Sequence, residues 1–431
     1  MSKSTHAHTS APRIGGAVAL ALLFGAAAGA GGNALVDAGA AGITPPAATI
    51  TATPAVDRVA APSPDEAPPV TFTVVAAGDV LPHGPVVSSA TTATGIDFLP
   101  LMSAVVPYIE GADLALCHME VPVTPPGTSA SGYPMFAAPP ELVPSLAAAG
   151  WDGCSTASNH SVDRRAAGIA ATLEAFQSAG LGAAGTARTE QEADATQMYV
   201  VHGAARDINV ANISFAYAGL NGLPKPDGQP WAVNTFDADA ADASPIIAAA
   251  QHARDQGADI VIASVHCCVE YKTAPTAAQR SVAEQVAASG LVDLYLGHHA
   301  HVPQPIEKLP GGPNGDGMWV AFGMGNFLSN QGTQCCVAET TSGELITATF
   351  SIDEDDRVDV GVEWTAITTD RLSGHTMHVL TDIPDGAGTL SAAEVAARHA
   401  RVASAAGPEA PERTTPVGNL ALGVDMIPRT G

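Results

Sequence analysis

Six apolar runs of strand type each end in a side chain able to carry a proton or ligate a metal, and no other feature constrains the fold as much. Val74–Ala77 leads into Gly78-Asp79, and Leu114–Cys117 into His118-Met119-Glu120. Cys154–Ser158 leads into Asn159-His160 with Asp163 beyond, and Ile260–Val265 into His266 with Glu270 four residues on. Leu294–Leu296 leads into Gly297-His298-His299-Ala300-His301, and Val320–Gly323 into Met324-Gly325-Asn326. Helical stretches lie between and around the runs at Ala166–Ala179, Pro245–Gln256 and Thr276–Ser289, and a glycine follows each. Glycine at that position ends a helix because it enters the left-handed region without steric cost. Glu344–Ser351 and Arg357–Thr365 alternate with period two and read as a hairpin. Strands alternating with helices, followed by a late hairpin, predict a layered α/β sandwich.

In open α/β sheets, ligands bind beyond the carboxyl ends of the strands. Polar groups placed there can meet although they are far apart in sequence. Imidazole mixed with carboxylate and amide oxygen suits Mn, Zn or Fe better than Ca or Mg alone. One or two such divalent ions are expected, and two held about 3.5–4 Å apart can activate water and clamp a displacement at phosphorus. Taken singly, each element has a structural explanation. Gly78-Asp79 reads as a turn, His160 or His266 as a satisfied half-buried histidine, Glu120 as a strand exit, and Gly325-Asn326 as turn chemistry. Three histidines within four residues at a strand end have few structural uses. His252, His375, His378 and His399 read as solvated, and His6 and His8 belong to the leader.

Charge narrows the partners. The chain has 18 Lys+Arg against 43 Asp+Glu, a net charge of −25. That balance excludes nucleic acid, whose binding needs a basic footprint. It also opposes a polyanionic substrate unless a metal or local arginines reverse the field. Residues 1–36 read as a signal peptide or an N-terminal anchor: Lys3 and Arg13 precede an uncharged stretch to Val36. The protein is therefore expected to be secreted, or held on the extracytoplasmic face of the membrane. Residues 37–70 are a Pro/Ala/Thr-rich linker, and 371–431 a partly disordered C-terminal extension with a helix at Ser391–Ala405. Six cysteines in an exported chain favour disulfides, and the simplest arrangement joins Cys267 and Cys268 to Cys335 and Cys336. No dinucleotide or phosphate-loop motif and no nucleophile elbow is present.

Ala157-Ser158-Asn159-His160-Ser161-Val162-Asp163 is the first of several pieces that carry a family resemblance. Val265-His266 with Glu270-Tyr271, the run from Gly297 to Glu307, and Gly323–Phe327 follow in order. Over residues 71–370 the chain resembles the bacterial capsule synthesis CapA-like proteins associated with poly-γ-glutamate, which look like calcineurin-type metallophosphatases. The resemblance implies an α/β/β/α sandwich of the metallo-dependent phosphatase type. It implies metal ligation by Asp79, Glu120, Asn159, His266, His299 and His301, with His298 and Asn326 as additional candidates. It implies catalytic roles for His160, Asp163 and Glu270. Three departures stand out. Asp79 is followed by Val-Leu-Pro, so His83 comes too late for Asp-x-His. His118 stands where the family commonly has Asn. Cys267-Cys268 replaces Trp-Gly, which puts a disulfide or a redox-sensitive rim beside the site. A one-metal or weakly metallated site is thus an expectation too. The implied function is a phosphoesterase-like hydrolase in the synthesis of capsule, poly-γ-glutamate or another cell-envelope polymer, acting on a phosphoester or on the anionic polymer itself. The same ligands could direct water at a γ-glutamyl amide. The alternative is a non-catalytic polymer-binding component of assembly or export, working beside membrane polymer-synthesis proteins.

Overall fold

Side chains alternate between two faces along a strand, and in β1 (Val70–Leu81) both faces are covered. Phe72, Val74 and Ala76 join one apolar cluster while Val75 and Ala77 join another. Burial on both sides is why this strand reads as a continuous apolar run. The computed structural model describes residues 69–203, 205–418, 420 and 422–429. The expected leader, and the linker as far as residue 68, lie outside the described residues. Among the described residues no helix is long and apolar enough to cross a membrane.

Two eight-stranded sheets form the centre. The first runs in the order β14 (Thr376–Val379), β13 (Val358–Asp370), β12 (Ser342–Ile352), β1, β2 (Leu114–Met119), β3 (Gly153–Ser155) and β4 (Gly182–Ala184). Strand β11 (Asn326–Ser329) pairs with the end of β1, beyond the stretch that β12 occupies. The second runs β9 (Ile306–Leu309), β10 (Met318–Ala321), β8 (Leu294–His298), β7 (Ile260–His266), β6 (Asp207–Tyr217), β5 (Gln197–His202) and β15 (Val424–Ile427), with a short strand, Thr235–Phe236, beside β6.

One apolar layer lies between the sheets. Phe72, Val74, Leu116, Ile346 and Phe350 of the first meet Ile260, Ile262, Leu294 and Leu296 of the second. The outer face of the first sheet packs Val75, Ala115 and Cys117 against Ile169, Leu173 and Phe176 of α1 (Arg165–Ala179). The outer face of the second packs Val261, Ala263 and Val265 against α2 (Ser244–Asp255) and α3 (Ala277–Ser289), through Ile246, Ala250, Val282 and Val286. The architecture is the expected α/β/β/α sandwich. Helix α3 opens with a reciprocal Thr276–Gln279 capping box and closes on Gly290 at φ 68°, which satisfies both of its ends.

Three expectations are corrected. The segment after residue 370 is an integral part of the fold, not a loosely ordered extension. Strand β14 pairs with β13 and β15 with β5, while Val395, Val402 and Ala406 of α4 (Ala392–Ala406) enter the layer between the sheets. An apolar stripe at helical spacing is what ties α4 down. His375 is buried, with its ring nitrogens on Ser89 Oγ at 2.8 Å and Asn330 Oδ1 at 2.9 Å. The cysteines depart from the simplest arrangement, with no bond between the 267/268 and 335/336 pairs: Cys117 joins Cys154, Cys335 joins Cys336, and Cys267 joins Cys268 as the local disulfide beside the site. Parallel register sets Cys117 opposite Cys154. Cys267 is buried at the end of β7 with its N–H on His298 O, whereas the Cys335 and Cys336 N–H groups turn onto Gly332 O in a separate loop.

Candidate metal centre

Strand register assembles the site before any side chain is considered. Asp79 stands opposite His118 in β2 and opposite Asn326 in β11, and His266 stands opposite His298. A bulge in β1 between Ala76 and Asp79 shifts the pairing there, and such bulges re-aim side chains at the edges of sites. The strand end is drawn tight: the Asp79 N–H donates to Gly325 O at 3.0 Å, and a Cβ on Gly78 would collide with that oxygen.

Asp79 lies at the centre. One oxygen is 2.9 Å from His301 Nδ1; the other is 3.5 Å from His298 Nδ1 and 3.9 Å from His118 Nε2. His301 turns its second nitrogen toward Glu120 at 3.6 Å and Glu270 at 3.9 Å. Three overlapping donor groups result: Asp79, His118 and His298; Asp79, Glu120 and His301; Glu270, His299 and His301. The loop that carries the histidines holds His299 at φ 84° and His301 at φ 57°. Non-glycine residues there are strained, which is typical of functional turns.

His118 rings stack on His298 at 3.9 Å. Ser155 Oγ meets His118 Nδ1 at 2.7 Å, leaving Nε2 to face His266 Nδ1 at 2.9 Å. His266 Nε2 in turn takes Asn159 Oδ1 at 2.9 Å. Asn221 Oδ1 accepts from the Asn159 amide at 3.2 Å and from Tyr217 at 3.1 Å, which fixes which end of that amide faces His266. Asn326 Oδ1 lies 3.1 Å from His301 Nδ1. At the edge, Asp163 Oδ2 accepts the Phe136 N–H at 2.6 Å and lies 2.7 Å from His160 Nδ1. His160 Nε2 is thereby left as the ring's outward-acting nitrogen. Glu270, with 39% of its side chain exposed, is the most open of these groups.

Burial alone would make this cluster prohibitive. Asp79 is pushed up by burial, but His298 and His301 outweigh that and hold its carboxyl well below the usual range. Burial raises Glu120 well above it. Burial and neighbouring imidazoles lower His118 and His266 strongly, and His299 to about 3. His301 goes the other way. Burial opposes its charge, yet Glu120 and Asp79 carry it up to about 10.

The donor set fits divalent cations. Asp79 Oδ1, both oxygens of Glu120, both nitrogens of His298 and His299 Nδ1 are buried without a hydrogen-bond partner. Buried polar atoms are normally satisfied, and neutral imidazoles with shared carboxylates are what a borderline metal binds.

The site brings together every residue expected from the sequence. It changes the emphasis among the histidines: His301 and His298 both turn Nδ1 to Asp79, at 2.9 and 3.5 Å, while His299 meets it through its backbone N–H at 3.3 Å. It adds His118 and Asn221. His118 follows an apolar run as the others do, so its position held the signal. Asn221 comes from a loop with φ 54° after β6 and carries none. His83 packs edge-on against Phe136 with ring centroids 5.3 Å apart, outside the donor groups.

Two sheets in a helix-flanked sandwich, with carboxylate and imidazole donors at facing strand ends, define a metallophosphatase-like protein. The chain belongs to the bacterial capsule synthesis protein family PGA_cap, which matches residues 73–331. It is similar to the PGA biosynthesis protein CapA of Bacillus subtilis (strain 168), with 26% identity over 178 residues, 41% of this chain and 42% of that one. It is also similar to a probable polyglutamine synthesis accessory protein of Mycobacterium tuberculosis (strain CDC 1551 / Oshkosh), with 26% identity over 227 residues, 51% of this chain and 56% of that one. The chain spans about half the length of the curated relatives it matches.

Proposed function

We propose that this chain is a metal-dependent hydrolase serving the synthesis of an anionic polymer of the poly-glutamate kind, outside the cytoplasmic membrane. One observation carries the reading: a single carboxylate, Asp79, is shared by two buried donor groups in which Asp79 Oδ1, both Glu120 oxygens and both His298 nitrogens lack hydrogen-bond partners, directly beside the Asn159–His160–Asp163 edge. Asp79, His118 and His298 would hold one ion, and Asp79, Glu120 and His301 a second. Divalent ions in such a site supply Lewis acidity and a lowered pKa for water.

The chain's own groups supply the rest. His160 Nε2 is placed to give a proton to a leaving oxygen or nitrogen, with Asp163 holding the Nδ1 side of the ring in one tautomer. The Asn221 contact keeps the Asn159 oxygen turned inward. Glu270 is the exposed carboxylate able to take a proton at the mouth. The membership supports a role in capsule synthesis, and the relatives named for PGA biosynthesis and polyglutamine synthesis support a polymer of the glutamate kind.

The test is metal analysis of the purified protein, together with hydrolysis of an aryl phosphodiester and of a γ-linked glutamate polymer. About one to two Mn, Fe or Zn ions per chain are expected. His160→Ala should lower turnover by on the order of 10²–10⁴-fold with metal retained. A second reading, a non-catalytic polymer-binding component, draws on His83: because it packs elsewhere, the first ion relies on few donors. A polymer phenotype in cells that survives both His160→Ala and His266→Ala would favour that reading and defeat the first.

A further inference from the structure

A cavity of about 270 Å³ lies between α4 and the loop joining β13 to β14, lined among others by Arg371, Arg398 and Arg401. Three of only 18 Lys+Arg meet there in a chain of net charge −25. Two acids share the wall, Asp370 and Glu394, and both are engaged. Asp370 accepts from Thr389 N at 2.6 Å, Thr389 Oγ1 at 2.5 Å and Ser373 N at 3.2 Å. Glu394 Oε1 holds Arg398 Nε at 2.8 Å and lies 3.6 Å from Arg401 Nη2.

The guanidinium donors are not used up. Each arginine has five N–H groups. Arg371 donates from Nε to Asn330 O at 2.8 Å, and its Nη groups have no partner among the described residues. Arg398 directs Nη1 to Thr368 Oγ1 and Thr369 O at 2.8 and 3.0 Å, and Nη2 likewise has none. Arg401 Nε is shielded from solvent with no partner at all. A buried unpaired N–H is costly, and forked guanidinium donors match the two oxygens of a carboxylate or phosphate.

We propose that this cavity is an oxyanion subsite that takes a carboxylate of a glutamate chain. The choice of chain rests on the functional reading above; the oxyanion chemistry does not. Its size, near the lower end of the roughly 300–1,000 Å³ of ligand pockets, admits a small anion or a short piece of chain. One loop connects it to the metal centre. Asn330 O receives Arg371, the next residue, Gln331, receives the Asn326 amide at 3.0 Å, and Asn326 Oδ1 meets His301. An acidic polymer held here has local cations beside a site whose own carboxylates would repel it.

The experiment is equilibrium binding of three probes to the full chain: a defined glutamate oligomer, a glutamine oligomer of equal length, and inorganic phosphate. The proteins are wild type, Arg371→Gln with Arg401→Gln, Arg371→Lys, and Arg357→Gln as a surface control. The glutamate oligomer should bind at least tenfold more weakly to the double variant, and the control should match wild type. Arg371→Lys, which keeps the charge and loses the fork, should fall between, with unfolding midpoints unchanged throughout. The glutamine oligomer should not bind. Binding of phosphate alone, with the same dependence on arginine, keeps the oxyanion subsite and overturns the chain as its occupant. Oligomer binding indifferent to both arginine variants overturns the proposal. A hydrolysis assay of the wild type separates the two readings: arginine-dependent binding with no hydrolysis by the metal-loaded wild type sinks the enzyme and leaves the subsite. Hydrolysis with no arginine dependence does the reverse.

Discussion

Asp79 is buried among three imidazoles, and His298 and His301 hold its charge. Asp79→Asn should therefore weaken metal binding more than Ser155→Ala does. Ser155 reaches the donor groups through the far nitrogen of His118, and loss of such an outer partner costs roughly 10–100-fold in affinity. Competition with a chelator, followed by metal analysis, would rank the two variants; equal effects would contradict the shared role of Asp79. A second residue reports on pH. Burial pushes His83 from 6.5 down to about 4, so in the folded state it stays neutral while the unfolded chain takes up a proton. Between these values the unfolded state binds more protons, and stability falls as pH drops, at up to about 1.4 kcal/mol per pH unit. His83→Asn should remove that part. Urea unfolding of wild type should lose about 2 kcal/mol relative to the variant between pH 7 and 5, and parallel curves would refute the assignment.

At the scale of elements, close strand contacts matter more than helix propensity. Gly78→Ala places a methyl group against Gly325 O, where β1 and β11 part only by breaking the Asp79 N–H bond to that carbonyl. Overpacking of this kind costs about 1–3 kcal/mol, and it should also shift Asp79 and lower metal content. Thr276→Ala loses a capping box outside the donor groups and costs about 1 kcal/mol. Denaturation midpoints with metal analysis should show the second variant less stable yet fully loaded. Peptide mapping without reduction checks the cysteines: a linked pair of peptides holding Cys117 and Cys154 is expected, with no link between the 267/268 and 335/336 peptides. The four long helices, the hairpin and six strands were legible because each has a helical or strand period or lies in an apolar run. Strands β4, β9 and β11 were not. They are three or four residues long, and unlike the equally short β3 and β10 they do not lie in a run that leads into site residues.

The whole molecule closes through its last sixty residues. Removing 371–429 strips β14 from one sheet, β15 from the other and the apolar face of α4 from the layer between them. Each large apolar side chain so exposed forfeits roughly 1.5–3 kcal/mol, and the truncated chain should lose cooperative unfolding and near-ultraviolet circular dichroism. A soluble, cooperative fragment ending at 370 would restore the extension as a separate piece. Local sequence determined the strand ends and their chemistry: Asp79, Glu120, Asn159, His160, His266 and the 298–301 histidines each follow an apolar run, because a chain leaving a buried strand must turn polar. Tertiary structure alone decided which of them meet. Register set His118 beside Asp79, a turn with positive φ at His299 and His301 buried His298, His299 and His301 together in the site, and Asn221 arrived from a distant loop. The Cys117–Cys154 pair and the arginine cavity were hidden for the same reason. Distances between remote segments depend on sheet order and packing, and no local period in the sequence encodes them.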